Sequence, residues 1–250
     1  MSPAVLVEHV RKEFILRHNR AMGLKTRFLA LFHQSKRERR EHFLALDDIN
    51  LRVERGEALG LLGHNGSGKS TLLQIIAGIL EPTRGRVTTH GRIAPLIQLG
   101  VGFHPELSGY ENIFLNASLY GFRNRDTQKR VKDIIEFSEL QHFIDTPLKN
   151  YSSGMQMRLG FSVAVHLQPD ILLADEILAV GDQPFQEKCH ERIAELRAQG
   201  MTLILVSHST QQVQRFCDKF VRLEYGRLVE TGDVKKNSSD ATELSINEGG

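Results

Sequence analysis

The sequence predicts an α/β fold, a sheet-centred core carrying a helical insert, and three observations lead there. Ala58–Leu62, Asp170–Ala174 and Thr202–Val206 are short continuous apolar runs, the pattern of strands buried on both faces. Helical patterns separate these runs, as an alternating α/β plan requires. Consecutive helical patterns crowd the stretch between about Pro105 and Leu167, which marks the insert.

In chain order, Ala4–Val10 is apolar and β-branched and reads as a first strand. Ile15–His42 is a basic segment with Arg17, Arg20, Lys25, Arg27, Lys36, Arg37, Arg39 and Arg40 against Glu38 and Glu41. Within it Ala21, Leu24, Phe28, Leu31 and Phe32 recur at helical spacing, one apolar face on a basic helix. Ile49, Leu51 and Val53 alternate with polar residues as in a half-buried strand. Ser70–Leu80 predicts a helix stopped before Pro82, and Arg92–Leu99 another strand. Ser108 and Glu111 have capping-box spacing and open a helix over Gly109–Tyr120. A further helix is expected over Thr127–Glu139. Ser153 and Gln156 repeat the capping spacing before Gly154–Leu167. Pro184–Ala198 is a helix with proline in its first turn and Gly200 past its end. Leu223–Val229 predicts a hairpin about Tyr225-Gly226, and the polar tail from Lys235 is expected to fray.

Composition bounds the function. The chain has 250 residues, 40% hydrophobic and 25% charged, as in a soluble globular protein. A net charge of +2 gives no argument for nucleic acid. Cys189 and Cys217 are far apart and lack metal spacing, which fits a reducing compartment. The first residues lack a signal-peptide core, and no stretch approaches the ~20 apolar residues of a membrane span.

The sequence GHNGSGKST, Gly63 to Thr71, sits between a buried strand and a helix and satisfies G-x-x-x-x-G-K-[ST]. Glycines let successive N–H groups turn inward on phosphate oxygens, and the following helix adds its positive dipole end. Gly63, His64, Asn65, Gly66, Ser67, Gly68, Lys69, Ser70 and Thr71 are therefore assigned to nucleotide binding. Lys69 is expected on the β- and γ-phosphates, with Ser70 as a Mg²⁺ ligand. Ile171–Glu176 is a buried strand ending in two acids. Asp175 can hold Mg²⁺ through water, and Glu176 can take a proton from an attacking water. Tyr151-Ser152-Ser153-Gly154-Met155 at a helix start forms a second anion nest, which a single nucleotide does not need.

GHNGSGKST, Gln98, YSSGM, LLADE and Ser207-His208-Ser209 in that order resemble the nucleotide-binding subunit of ABC transporters, over roughly Val5 to Gly232. Within that family, YSSGM, Asp175–Cys189, Leu96–Ile113 and the basic insert are most similar to ATPases of lipid-linked polysaccharide export, the O-antigen, capsule and teichoic-acid type. The resemblance implies a P-loop ATPase core with a mixed sheet, an antiparallel β subdomain and a helical subdomain over about 103–168. The basic insert spans about 15–42, the domain 1–232 and the polar tail 233–250.

It also implies roles. Gln98 joins Ser70 as a Mg²⁺ ligand, and His208 contacts the γ-phosphate and orients water. Ser152, Ser153 and Gly154 meet the ATP of a second copy, and Asp182 lies at that seam. Phe14 matches the adenine-stacking aromatic, with Phe43 as competitor. Met155 and Ser153 depart from the usual signature glutamine and glycine, and Ala179–Asp182 from the usual D-loop.

The expected assembly is a homodimer on two transmembrane permease subunits at the cytoplasmic face of the bacterial inner membrane. ATP and Mg²⁺ are the cofactors, a lipid-linked polysaccharide is the cargo, and no nucleic-acid partner is expected. The basic insert is left as a solvated loop, a membrane-surface helix, or a helix gating the polysaccharide. Gly100–His104 lines a point of access or forms an ordinary turn. The alternatives are an importer ATPase for small solutes and a soluble ABC-type ATPase acting on nucleic acid or ribosomes.

Overall fold

Apolar runs that cannot face water on either side set the architecture. The computed structural model describes residues 2–18, 39–97, 100, 102–175, 181–234 and 244–246. A first hairpin, β1 (Val5–His18) and β2 (Arg39–Val53), precedes β3 (Ala58–Leu62) and α1 (Lys69–Ile76). Strands β4 (Arg84–Thr89) and β5 (Ile93–Pro95) lead to helices α2 (Gly109–Leu119), α3 (Asn124–Gln128), α4 (Val131–Ser138) and α5 (Ser153–His166). The chain then runs β6 (Ile171–Asp175), α6 (Gln183–Ala198), β7 (Thr202–Val206), α7 (Thr210–Phe216), β8 (Lys219–Glu224), β9 (Arg227–Val234) and β10 (Leu244–Ile246).

The main sheet has seven strands in the order β10-β9-β8-β3-β7-β6-β5. β8, β3, β7, β6 and β5 pair in parallel, while β9 and β10 add antiparallel edges, so the sheet is mixed. Every residue of β3 and β7 is buried, which explains their unbroken apolar sequences. A separate antiparallel sheet, β2-β1-β4, packs its inner face and α1 against one side of the main sheet through Val5, Ile49, Leu72 and Ile76.

Helices α2 to α5 enclose a core of their own, with Ile113, Phe122, Ile134, Leu148 and Tyr151. Helix α5 belongs to two cores at once. Leu159 and Val163 face the helical subdomain, while Phe161, Ala164 and Val165 face the sheet side. Residues 159–165 are accordingly all buried.

Several boundaries differ from the sequence expectation. α1 ends at Ile76, because the Ile79 and Leu80 N–H groups both turn back onto the Gln74 carbonyl. Of the strand expected over Arg92–Leu99, the described residues form Ile93–Pro95, and Gln98 and Leu99 lie outside them. The single helix expected over Thr127–Glu139 is two, broken at Arg130, whose guanidinium is anchored on the His166 carbonyl and Gln168 Oε1. α5 is capped by Ser152 rather than Ser153: the Ser152 hydroxyl accepts the Met155 N–H at 3.2 Å. The capping box at Ser108 and Glu111 is present as read.

Both ends of the basic segment are strand, with Ile15 opposite His42 and His18 opposite Arg39. Its expected helix lies outside the described residues. β9 continues past 232 to Val234, and instead of fraying throughout, the tail returns as β10 on the free edge of β9.

Gly60, in the middle of β3, is a packing requirement. A Cβ there would stand 2.5 and 2.8 Å from the two methyl carbons of Val213 on α7. Gly60→Ala is expected to cost about 1–3 kcal/mol by overpacking. Urea denaturation checks this, and pairing with Val213→Ala should recover most of the loss.

Candidate functional site

Three strand ends lie side by side. In the parallel register Asp175 pairs with Val206, and Val206 with Leu61. The residues that follow each strand therefore gather at one rim: Gly63 after β3, Asp175 at the end of β6, and His208 after β7. The carboxyl ends of parallel strands are where α/β sheets bind ligands.

The loop after β3 turns over the start of α1. Gly68, the cap residue, has φ 107°, and a Cβ there would stand 2.7 Å from the Ala45 carbonyl oxygen. No side chain caps α1 and no acid lies in its first turn, so its leading N–H groups are left for an anion. Lys69 is buried, and its Nζ donates to the Gly63 and His64 carbonyls at 2.7 and 2.9 Å, curling over the loop. His64, Asn65 and Gly66 form the exposed tip. Ser67 is buried and fixes the loop from behind, its carbonyl accepting the Gly226 N–H at 3.0 Å. That bond needs the tight Tyr225-Gly226 hairpin turn, both residues at positive φ.

A cavity of about 400 Å³ opens beside this loop, lined by Lys69, Ser70, Thr71, Asp175, Gly66 and Phe43 among others. Ser70 Oγ and Asp175 Oδ2 stand 3.4 Å apart. A hydroxyl and a carboxylate oxygen brought this close are hard oxygen donors of the kind Mg²⁺ takes, directly or through water. A few protein oxygens completed by phosphate and water is the usual magnesium arrangement. The residues present fit the ion.

His208 lines a second cavity of about 390 Å³ on the other flank of the loop, with His64, Asn65, Thr210, Arg222 and Glu224. The turn that carries it is held by Ser207. The buried Ser207 hydroxyl donates to Gln212 Oε1 at 2.8 Å and accepts the Ser209 N–H at 2.9 Å.

Phe43 and Phe14 are direct partners across the β1–β2 ladder, yet only Phe43 is among the lining residues of the Lys69 cavity. It is 50% exposed. Phe14 is half-buried, with the Lys12 ammonium 5.1 Å from its ring centroid.

Ser152, Ser153 and Gly154 line neither cavity. They form the first turn of α5, above the buried Tyr151, with Ser152 and Ser153 exposed and Gly154 half-buried. The Tyr151 hydroxyl donates to the Phe143 carbonyl at 2.7 Å, and burial pushes its pKa up to about 12, so it stays a donor. Asp182 begins α6 and pairs with Arg158 at 2.6 Å. Gln98 and Glu176 lie outside the described residues, as do residues 177–180.

Sequence reasoning missed Gln212, Arg158 and Asn112. Asn112 is fully buried, its Oδ1 accepting the His104 N–H at 2.7 Å and its Nδ2 reaching the His104, Leu107 and Ser108 carbonyls. A polar residue on the apolar face of α2 was the available signal.

The ABC transporter family matches residues 46–179. The O-antigen export system ATP-binding protein RfbB of Klebsiella pneumoniae is 47% identical over 94% of this chain and 96% of its own length. The teichoic acids export ATP-binding protein TagH of Listeria innocua is 42% identical over 93% of this chain and 68% of its own. Among solved structures, an ATP-binding subunit of an ABC transporter superposes with a TM-score of 0.72 at 24% identity, covering 92% of this chain and 90% of that one. Strand ends, phosphate loop and relatives agree: the chain belongs to the ABC transporter family, among its ATP-hydrolysing subunits.

Proposed function

We propose that this chain drives export of a lipid-linked polysaccharide, working as a head-to-tail dimer beneath two permease subunits at the cytoplasmic face of the bacterial inner membrane. The observation that carries the dimer is the placement of Ser152, Ser153 and Gly154. They form an uncovered anion nest that lines neither cavity at their own phosphate loop. A second ATP, held by a facing copy, gives that nest a ligand. The cargo assignment is supported by the relatives, whose names are O-antigen and teichoic-acid export ATP-binding proteins.

In this reading Lys69 and the α1 N-terminus hold the β- and γ-phosphates. Magnesium would be held by Ser70 and Gln98 directly and by Asp175 through water, and would neutralise charge developing on those oxygens. Phe43 stacks on the adenine in preference to Phe14, since it is the ring that lines the cavity. Glu176 removes the proton from the attacking water, and His208 orients that water from the other flank of the loop. ATP joins the two chains and hydrolysis releases them. Swinging such an equilibrium from 1:99 to 99:1 takes about 5.5 kcal/mol, within reach of several charge-assisted bonds at about 1.5–3 kcal/mol each.

Closure reaches the permease through an apolar groove between the sheet and the helical subdomain. Ile79, Ile97, Leu119 and Tyr120 line it, and Ile79 and Leu119 are 56% and 60% exposed. Such side chains suit a short amphipathic helix of a membrane partner.

Purification in mild detergent tests the whole reading. A multi-span permease is expected to accompany the chain, and a lipid-linked glycan to raise ATPase in the complex. Recovery with ribosomes or nucleic acid instead would defeat it. Glu176→Gln is expected to keep ATP binding and lower turnover about 10²- to 10⁴-fold. Near-normal turnover in a single-cycle ATPase assay would remove Glu176 from its role. Ser152→Arg is expected to block hydrolysis while sparing ATP binding at Lys69. Mixed with Lys69→Ala chains, it should restore one working site per mixed dimer; no restored turnover would rule out the head-to-tail pairing.

A further inference from the structure

One side chain joins the exposed turn of α5 to the segment that enters α6. Arg158 donates Nη2 to Asp182 Oδ1 at 2.6 Å and Nη1 to Glu139 Oε2 at 2.8 Å. Its guanidinium also lies over the buried Phe185 ring, 4.7 Å from the centroid. Lys188 Nζ takes the other Glu139 oxygen at 3.2 Å and the Phe137 carbonyl at 3.0 Å. The helical subdomain, α5 and the start of α6 are thus bound to one planar cation.

Two details show that Asp182 is held for a purpose other than capping. It occupies the N-cap position of α6, where an aspartate ordinarily accepts an N–H of the first turn, yet it makes no side-chain cap bond. Its carboxylate is turned to Arg158 instead. Just before it, Gly181 leaves the guanidinium room: a Cβ there would stand 3.2 Å from Arg158 Nε. The Asp182 side chain is 62% exposed while that of Arg158 is 21% exposed, so the anchor is sheltered and the anchored group faces outward.

We propose that Arg158 is a positioning residue for ATP hydrolysis. It locks Asp182 to α5, so that the Ser152 turn and the Asp182 segment meet the facing chain as one rigid piece. The proposal rests on the head-to-tail dimer above. A planar fork is what the task requires, because two carboxylates from different elements must be held at fixed angles. An ammonium is a point charge and cannot fix both.

The test is a mutant cycle on the full chain with Arg158→Gln, Asp182→Asn and the pair, reading kcat, KM and ATP affinity without turnover. Each single change is expected to lower kcat on the order of 10- to 100-fold, with ATP affinity held within about twofold. The pair should be no slower than the slower single, because both remove the same connection. Losses that multiply, or an unchanged kcat in Arg158→Gln, overturn the proposal. Arg158→Lys serves if the glutamine chain fails to fold: a kcat loss at constant ATP affinity supports the strut, and wild-type turnover overturns it. Wild-type ATPase across a dilution series separates the two readings. A rate per chain that ignores concentration removes the dimer and the strut's partner with it. Multiplying losses on a concentration-dependent background remove only the strut.

Discussion

The level ending of β3, β7 and β6 is the constraint on which the site depends. Parallel pairing sets Leu61, Val206 and Asp175 in one row, so loops far apart in sequence emerge together. That row exists only because the three strands are apolar enough to be buried on both faces between two packed layers. Ser70 reaches Asp175 because α1 starts at the end of one strand and the acid stands at the end of another. Chemistry at this rim is thus a consequence of core hydrophobicity. A one-residue slip of β6 against β7 would turn Asp175 away from the loop.

Helix α5 transmits order in the other direction. It is apolar around most of its circumference because it serves two cores, the helical subdomain and the sheet side. Such a helix cannot rotate without emptying one of them, so its N-terminal turn is aimed firmly although Ser152 and Ser153 are exposed. Arg158 carries that rigidity to Asp182. The phosphate loop, by contrast, is fixed from behind, through Ser67 and the Tyr225-Gly226 turn. The phosphate loop and the Ser152 turn are thus mounted on different parts of the molecule.

Much of this was legible in the sequence, and the exceptions have physical causes. Buried strands, the phosphate loop, the Ser108–Glu111 box and the Tyr225-Gly226 turn are local patterns, and each stands where its residues placed it. The extent of α1 and the break at Arg130 were not readable, because they depend on distant partners: the fold of the chain past Ile76 and the carbonyl at His166. The cap of α5 was misread by one residue. Ser152 and Ser153 are both good caps, and the choice is made by Tyr151, whose burial fixes the register of the turn. Preference for Phe43 over Phe14 at the cavity was equally unreadable, since the two face each other across a ladder whose bulges lie between Val7 and Glu13.

The departures at Ser153 and Met155 follow from the same geometry. With Ser152 as cap, Met155 is the third residue of the helix, and its N–H is already given to the Ser152 hydroxyl. The donors left at the turn are the Ser152 proton and the N–H groups of Ser153 and Gly154, which need no particular side chain at 153. The Met155 side chain packs against the helical-subdomain core instead of reaching outward. Methionine there exchanges a polar arm for anchorage of the turn, which keeps its backbone donors. The geometry of that turn is fixed by the buried Tyr151 on one side and the doubly buried body of α5 on the other.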